Sequence, residues 1–192
     1  CFEGGDVGYL GLQAHDRRDD GSQGRLAVFS VWSAIGCADN PGCHAGVEGS
    51  PFWTCRLAYQ WQPGHAYRLR VARARAGWWR ASVADPADGT ETTVGSIRVP
   101  ASWGGLDLAA RHSAMWVEFY AANAPGGVAA DELVPHTRVR FGAPTAGVGP
   151  AAGGGTVAPA DHANRLGEGE RADSRVGDDS DGVVHEMGIP PG

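Results

Sequence analysis

The chain has 192 residues, 22 acidic and 16 basic side chains, 42% hydrophobic residues and seven Trp, enough apolar and aromatic matter for one real core with room for an appended segment. Residues 1–142 hold 14 acids against 13 Arg, and residues 143–192 hold 8 acids against 3 Arg. The first part is therefore nearly neutral, no basic stripe offers itself to nucleic acid, and no stretch reaches the length of a membrane span.

Residues 8–13 (Gly8-Tyr9-Leu10-Gly11-Leu12-Gln13) and 25–32, ending Phe29-Ser30-Val31-Trp32, carry the two-residue periodicity of half-buried strands. Asp19-Asp20-Gly21-Ser22 between them is turn chemistry. The acids of residues 15–21 are spaced wrongly for an EF-hand, so this is a solvated hairpin loop. Leu57, Tyr59 and Trp61 share one face of a further strand that stops at Pro63-Gly64, and sheet packing is the simplest use of those rings. Residues 66–71 place Tyr67, Leu69 and Val71 on one face and Arg68 and Arg70 on the other. Ala76-Gly77 turns the chain into residues 78–83, where Trp78 and Trp79 must point oppositely. Asp85-Pro86-Ala87-Asp88-Gly89 is a strong turn, followed by a strand at 92–99 and a Pro- and Gly-marked loop at 100–105 that contains Trp103. Strands at 114–121 and 137–141 complete the series.

Short strands at close spacing without an amphipathic helix predict an all-β chain, an antiparallel two-sheet β-sandwich of jelly-roll or lectin-like type, over residues 1–142. Residues 143–192 have no aromatic side chain, a Gly-Gly-Gly run and acidic clusters. That composition predicts a disordered acidic tail. The chain opens at Cys1 without an initiator Met or a signal-peptide pattern, and is expected to be a fragment or a processed product.

Cys1, Cys37, Cys43 and Cys55 form no C-x-x-C, and no His is spaced as a zinc partner. Disulfides, and hence an oxidising compartment, are the expected use. The preferred pairing is Cys43–Cys55, closing a loop over 44–54. Cys1–Cys37 follows if the first hairpin brings both to one open end.

Four motifs occur in order: Gly8-Tyr9-Leu10-Gly11-Leu12-Gln13, Phe29-Ser30-Val31-Trp32, Glu48-Gly49-Ser50 and Tyr59-Gln60-Trp61-Gln62-Pro63-Gly64-His65-Ala66-Tyr67. With Trp116-Val117-Glu118-Phe119-Tyr120 and Arg140-Phe141-Gly142, the set resembles the bacterial domain-of-unknown-function family 3472 over about residues 5–142. Two positions depart from it: Val7-Gly8 stands for the usual Gly-Gly, and Pro51 follows Glu48-Gly49-Ser50 where Gly is usual. The resemblance implies a secreted, β-rich accessory domain of the kind suspected of carbohydrate work. It supplies no catalytic residues.

The residues themselves offer a binding site. On a strand, Trp116, Glu118 and Tyr120 project together, and flat rings beside a carboxylate suit a sugar, whose C–H face stacks while its hydroxyls need acceptors. If another layer covers that face, the rings are core and Glu118 is a satisfied buried acid. Trp78 and Trp103 are auxiliary platforms. Glu48, Asp39 and Asn40 supply oxygen ligands suited to Ca²⁺, unless Glu48 simply accepts turn hydrogen bonds. The leading expectation is a secreted module binding carbohydrate or cell-surface glycan. The alternatives are a glycan-active enzyme with Glu48 and Glu118 as its acid pair, and a structural or adhesion domain that binds protein.

Overall fold

The computed structural model describes residues 1–17, 23–38, 40–106, 114–117, 136–146, 155–156, 175–180 and 182–189. The chain divides into two compact units, Cys1–Asp107 and Leu108–Gly192. The described residues form strands and no helix.

The first unit contains β1 (Gly8–Arg17), β2 (Gln23–Trp32), β3 (Gly36–Cys37), β4 (Cys43–Glu48), β5 (Ser50–Ala58), β6 (Arg68–Arg75), β7 (Trp78–Asp85) and β8 (Thr90–Arg98). They make two four-stranded sheets, β1-β2-β5-β4 and β3-β8-β7-β6, every pair antiparallel. This is the all-β, two-sheet sandwich that the alternation predicts. Four hairpins build most of it. At their described turns Gly supplies a positive φ that side chains resist, as at Gly49 (68°) between β4 and β5 and Gly77 (69°) between β6 and β7. Because Gly49 takes the turn, Pro51 needs only an extended backbone, as the second residue of β5 opposite Val47.

The core lies between the sheets. Ala27, Phe29 and Val31 of β2 and Cys55 of β5 meet Trp79, Ala81 and Val83 of β7 and Val94 and Ile97 of β8, all at most 6% exposed. The ladder β7–β8 shifts register between Ala81 and Ser82, which leaves Val94 as the extra residue of a bulge. Val94 and Gly95 are consequently both buried. Gly95 lies under the Cys43–Cys55 bridge, and a Cβ there would overlap the Cβ and Sγ of Cys55. One end of the core is closed by Phe2 and Trp103. Phe2 bridges to Leu106, and Glu3 exchanges backbone bonds with Gly104 and Gly105, both 2.9 Å.

Several expectations are corrected here. Residues 44–54 are the two arms of the β4–β5 hairpin, not an open loop. Cys43 and Cys55 are directly opposed across it and joined. The second expected bridge, Cys1–Cys37, does not form, and both residues are half-buried thiols. Cys37 lies on β3, which pairs with β8 of the second sheet instead of extending the β1–β2 hairpin. Tyr59 and Trp61 lie beyond β5, in the crossing between sheets. Trp61 Nε1 donates to Gln13 O (3.1 Å), its ring lies 4.9 Å from the Arg25 guanidinium carbon, and Tyr67 OH accepts from Gln62 N (2.9 Å). The longest motif of the family resemblance is thus a stapled connection.

The second unit contains β9 (Thr137–Phe141), β10 (Thr145–Ala146), β11 (Gly155–Thr156), β12 (Arg175–Asp179) and β13 (Gly182–Met187). They form a β12-β13-β9 sheet and a β10-β11 ribbon. Strand β9, expected to close the sandwich, instead pairs with β13. By compactness the chain divides after Asp107, whereas composition divides it after residue 142. The described parts of 143–192 contain strands where a disordered tail is expected. Averaged composition hides a local apolar pairing there: Val183, 4% exposed, sits opposite Phe141, whose ring meets His185 at 5.0 Å.

Candidate functional site

Register, more than any motif, builds the surface of interest. In the second sheet Trp79, Ala81 and Val83 point into the core, so their neighbours point outward. The pairings of β6, β7 and β8 then set four rows across the outer face: Arg68–Ala84–Glu91, Arg70–Ser82–Thr93, Ala72–Arg80–Ser96 and Arg75–Trp78–Arg98. One face thus gathers five arginines, Arg68, Arg70, Arg75, Arg80 and Arg98, all exposed, against one acid, Glu91.

That acid is already engaged. Glu91 Oε1 accepts from Ser82 Oγ (2.5 Å) and stands 3.7 Å from Arg70 Nη1. Arg68, Arg75, Arg80 and Arg98 make no ion pair among the described residues. The guanidinium of Arg75 lies over the Trp78 ring, 4.8 Å from its centroid, a cation–π contact that orients the indole. Trp78 is half-buried and keeps an edge to solvent, while its neighbour Trp79 is 6% exposed and meets Phe2 edge-on at 5.4 Å. The opposed directions expected for this pair are those observed.

The other proposed site residues are placed as follows. Trp103 is not a platform: it is 8% exposed and packs on Phe2 at 5.3 Å, plugging the core. Trp116 is 46% exposed, but residues 114–117 are not a strand. The alternation that would align Trp116 with Glu118 and Tyr120 is therefore missing at its start. Glu118 and Tyr120 lie outside the described residues, as does Asp39, and the side chain of Glu48 is likewise not described. Asn40 is committed to its own turn: its Oδ1 accepts from Gly42 N (3.0 Å) and its carbonyl from Cys43 N (2.8 Å). Among the described residues no group of three His, Cys, Asp or Glu could hold a metal ion.

Two further places hold chemistry-bearing groups. Tyr9, Trp32 and Phe52 form a row of rings on the outer face of the first sheet, 5.8 and 5.3 Å apart. Leu26, Val28 and Ser30 on that same face are 1–3% exposed, while the three rings are half-buried. In the second unit, Glu186, 9% exposed, accepts from His136 Nε2 (2.9 Å) and Arg175 Nη2 (2.7 Å). The His136 hydrogen bond first, and Arg175 second, hold its carboxyl below the ordinary value of 4.5. A depressed folded value stabilises above the unfolded pKa and is lost as pH falls through the folded one. The β12-β13-β9 sheet should therefore loosen on acidification below about 4.5, seen as loss of β13 amide dispersion in NMR spectra. Glu186→Gln should abolish that acid step, and an unchanged acid profile in the variant would show that the contact does not stabilise the sheet.

No family model, curated protein or solved structure matches the chain. What fold and face define is a disulfide-bearing β-sandwich that presents one cationic sheet surface with a single indole beneath an arginine. No helix among the described residues is long and apolar enough to cross a membrane.

Proposed function

We propose that the first unit is a binding module for carbohydrate, and that its site is the outer face of β6, β7 and β8. The observation that carries this reading is Trp78: a half-buried indole, beside the Arg75 guanidinium, on a face whose other members are mostly hydrogen-bonding side chains. A sugar ring needs that combination, a stacking surface for its C–H face and polar groups for its hydroxyls. Ser96 and Thr93 supply hydroxyls and Arg80 and Arg98 supply donors beside the ring. Secretion is part of the proposal and draws support from the Cys43–Cys55 bridge. The enzymatic alternative gains nothing on this face, because its one carboxylate, Glu91, is bound to Ser82 and Arg70.

Trp78→Ala should weaken retention on an immobilised polysaccharide panel by about 1–3 kcal/mol, roughly 5- to 150-fold. Trp78→Phe should keep most of the binding, because it keeps a stacking face. A Trp78→Ala protein with wild-type melting and wild-type retention would remove this face from the site.

A further inference from the structure

We infer that the carbohydrate taken by this face is an anionic polysaccharide, a chain bearing carboxylates or sulfates, held by the guanidinium groups of Arg68, Arg70, Arg80 and Arg98. The inference rests on the reading that the face binds carbohydrate, and it names the chemical class. Trp78 shares its row with Arg75 and Arg98, and Arg80 is the next outward residue of its own strand. A ligand that stacks on the indole therefore covers guanidinium groups as well. Covering them with a neutral sugar strips their hydration and offers no counter-charge, which costs free energy. An anionic sugar reverses the sign, because carboxylate and sulfate oxygens match the planar fork of arginine in two parallel hydrogen bonds.

The spacing suits a chain rather than a single ion. Outward residues recur about 6.8 Å apart along a strand and strands lie about 4.8 Å apart. The rows thus present a grid of cations and no enclosed anion pocket. Arg68, Arg75, Arg80 and Arg98 have no internal ion pair among the described residues to be broken first.

Two other polyanions fit less well. A sheet that reads single-stranded nucleic acid offers two or three exposed rings for successive bases, and this face offers Trp78 alone. A membrane-binding face adds apolar side chains that enter the lipid, whereas the outward residues here are Arg, Ser, Thr, Ala and Glu around that one indole.

The test uses the full chain on immobilised polygalacturonate, dextran sulfate and dextran, with a single-stranded oligonucleotide and phosphatidylserine vesicles as competing arms. The expected result is retention on at least one of the two acidic polysaccharides about tenfold above dextran, falling roughly tenfold between about 50 and 200 mM salt as counterions compete. Arg80→Gln with Arg98→Gln should lose more than about tenfold. Arg73→Gln is the control, because Arg73 pairs with Trp79 and so lies on the other side of β6. Its retention should change less than about twofold, since it removes the same charge off the face. Equal, salt-insensitive retention on dextran that still depends on Trp78 would overturn the anionic class and leave the carbohydrate reading standing. Equal losses in the Arg73 variant and the double variant would overturn the face. Tighter binding to the oligonucleotide or the vesicles would overturn the choice of polysaccharide, and no retention on any polysaccharide would overturn both readings together.

Discussion

Phe29→Ala should cost the first unit about 3–5 kcal/mol, the range for truncating a buried aromatic ring. Phe29 is 2% exposed at the centre of β2, paired to Leu10 on one side and Cys55 on the other. Both neighbours pack into the same core, so neither can swing in to fill the space without leaving its own ladder. The void would lie between two hydrogen-bonded sheets that resist collapse, which places the loss toward the upper end of the range. Six of the seven Trp lie within residues 1–107, so denaturation followed by Trp fluorescence reports mainly this unit. Phe29→Leu should recover more than half of the loss, because it restores most of the volume. A Phe29→Ala transition within about 1 kcal/mol of wild type would show that the two sheets are not packed as described.

Replacing both bridge cysteines, Cys43→Ala with Cys55→Ala, should cost about 3 kcal/mol in the chain-entropy account of a short closed loop. The bridge joins residues 12 apart, and its sulfurs also fill the space over Gly95 where a Cβ would not fit. The loss therefore has a packing part as well as an entropic one. Gly95→Ala placed in the double variant separates them. Introduced into wild type it meets both the Cβ and the Sγ of Cys55, whereas in the double variant only the Cβ contact remains, so it should cost less there while still being unfavourable. Denaturation midpoints of the four proteins, compared as a cycle, check this. Strict additivity would show that the bridge sulfurs add nothing to the cost of filling Gly95.

Much of the sandwich was legible because alternation is local. Residues 8–13, 25–32, 78–83, 92–99 and 137–141 all lie within or almost within observed strands. The β4–β5 hairpin was not legible, since Gly46, Gly49 and Pro51 interrupt the alternation. Even so, the Cys43–Cys55 pairing expected for a loop is the one that the hairpin makes. Depth in loops was also hidden: Trp103 looks exposed between Ser102 and Gly104, yet it packs on Phe2. The cationic face is the clearest case. The outward direction of Arg68 and Arg70 could be read within one strand, but 14 acids against 13 arginines over residues 1–142 suggested no basic surface. Only the register across β6, β7 and β8, including the bulge at Val94, sorts Arg75, Arg80 and Arg98 onto the same face. Register depends on partner strands, which local periodicity does not specify.

The most direct test of this account is arginine footprinting of the full chain. The protein is treated with a guanidinium-modifying dicarbonyl, with and without polygalacturonate or dextran sulfate, and the sites are quantified by peptide mass spectrometry. The account predicts protection of Arg68, Arg70, Arg80 and Arg98 by the polysaccharide, with Arg73 still modified at its unliganded rate. Protection confined to arginines off this face, or an unchanged pattern with either polysaccharide present, would contradict it.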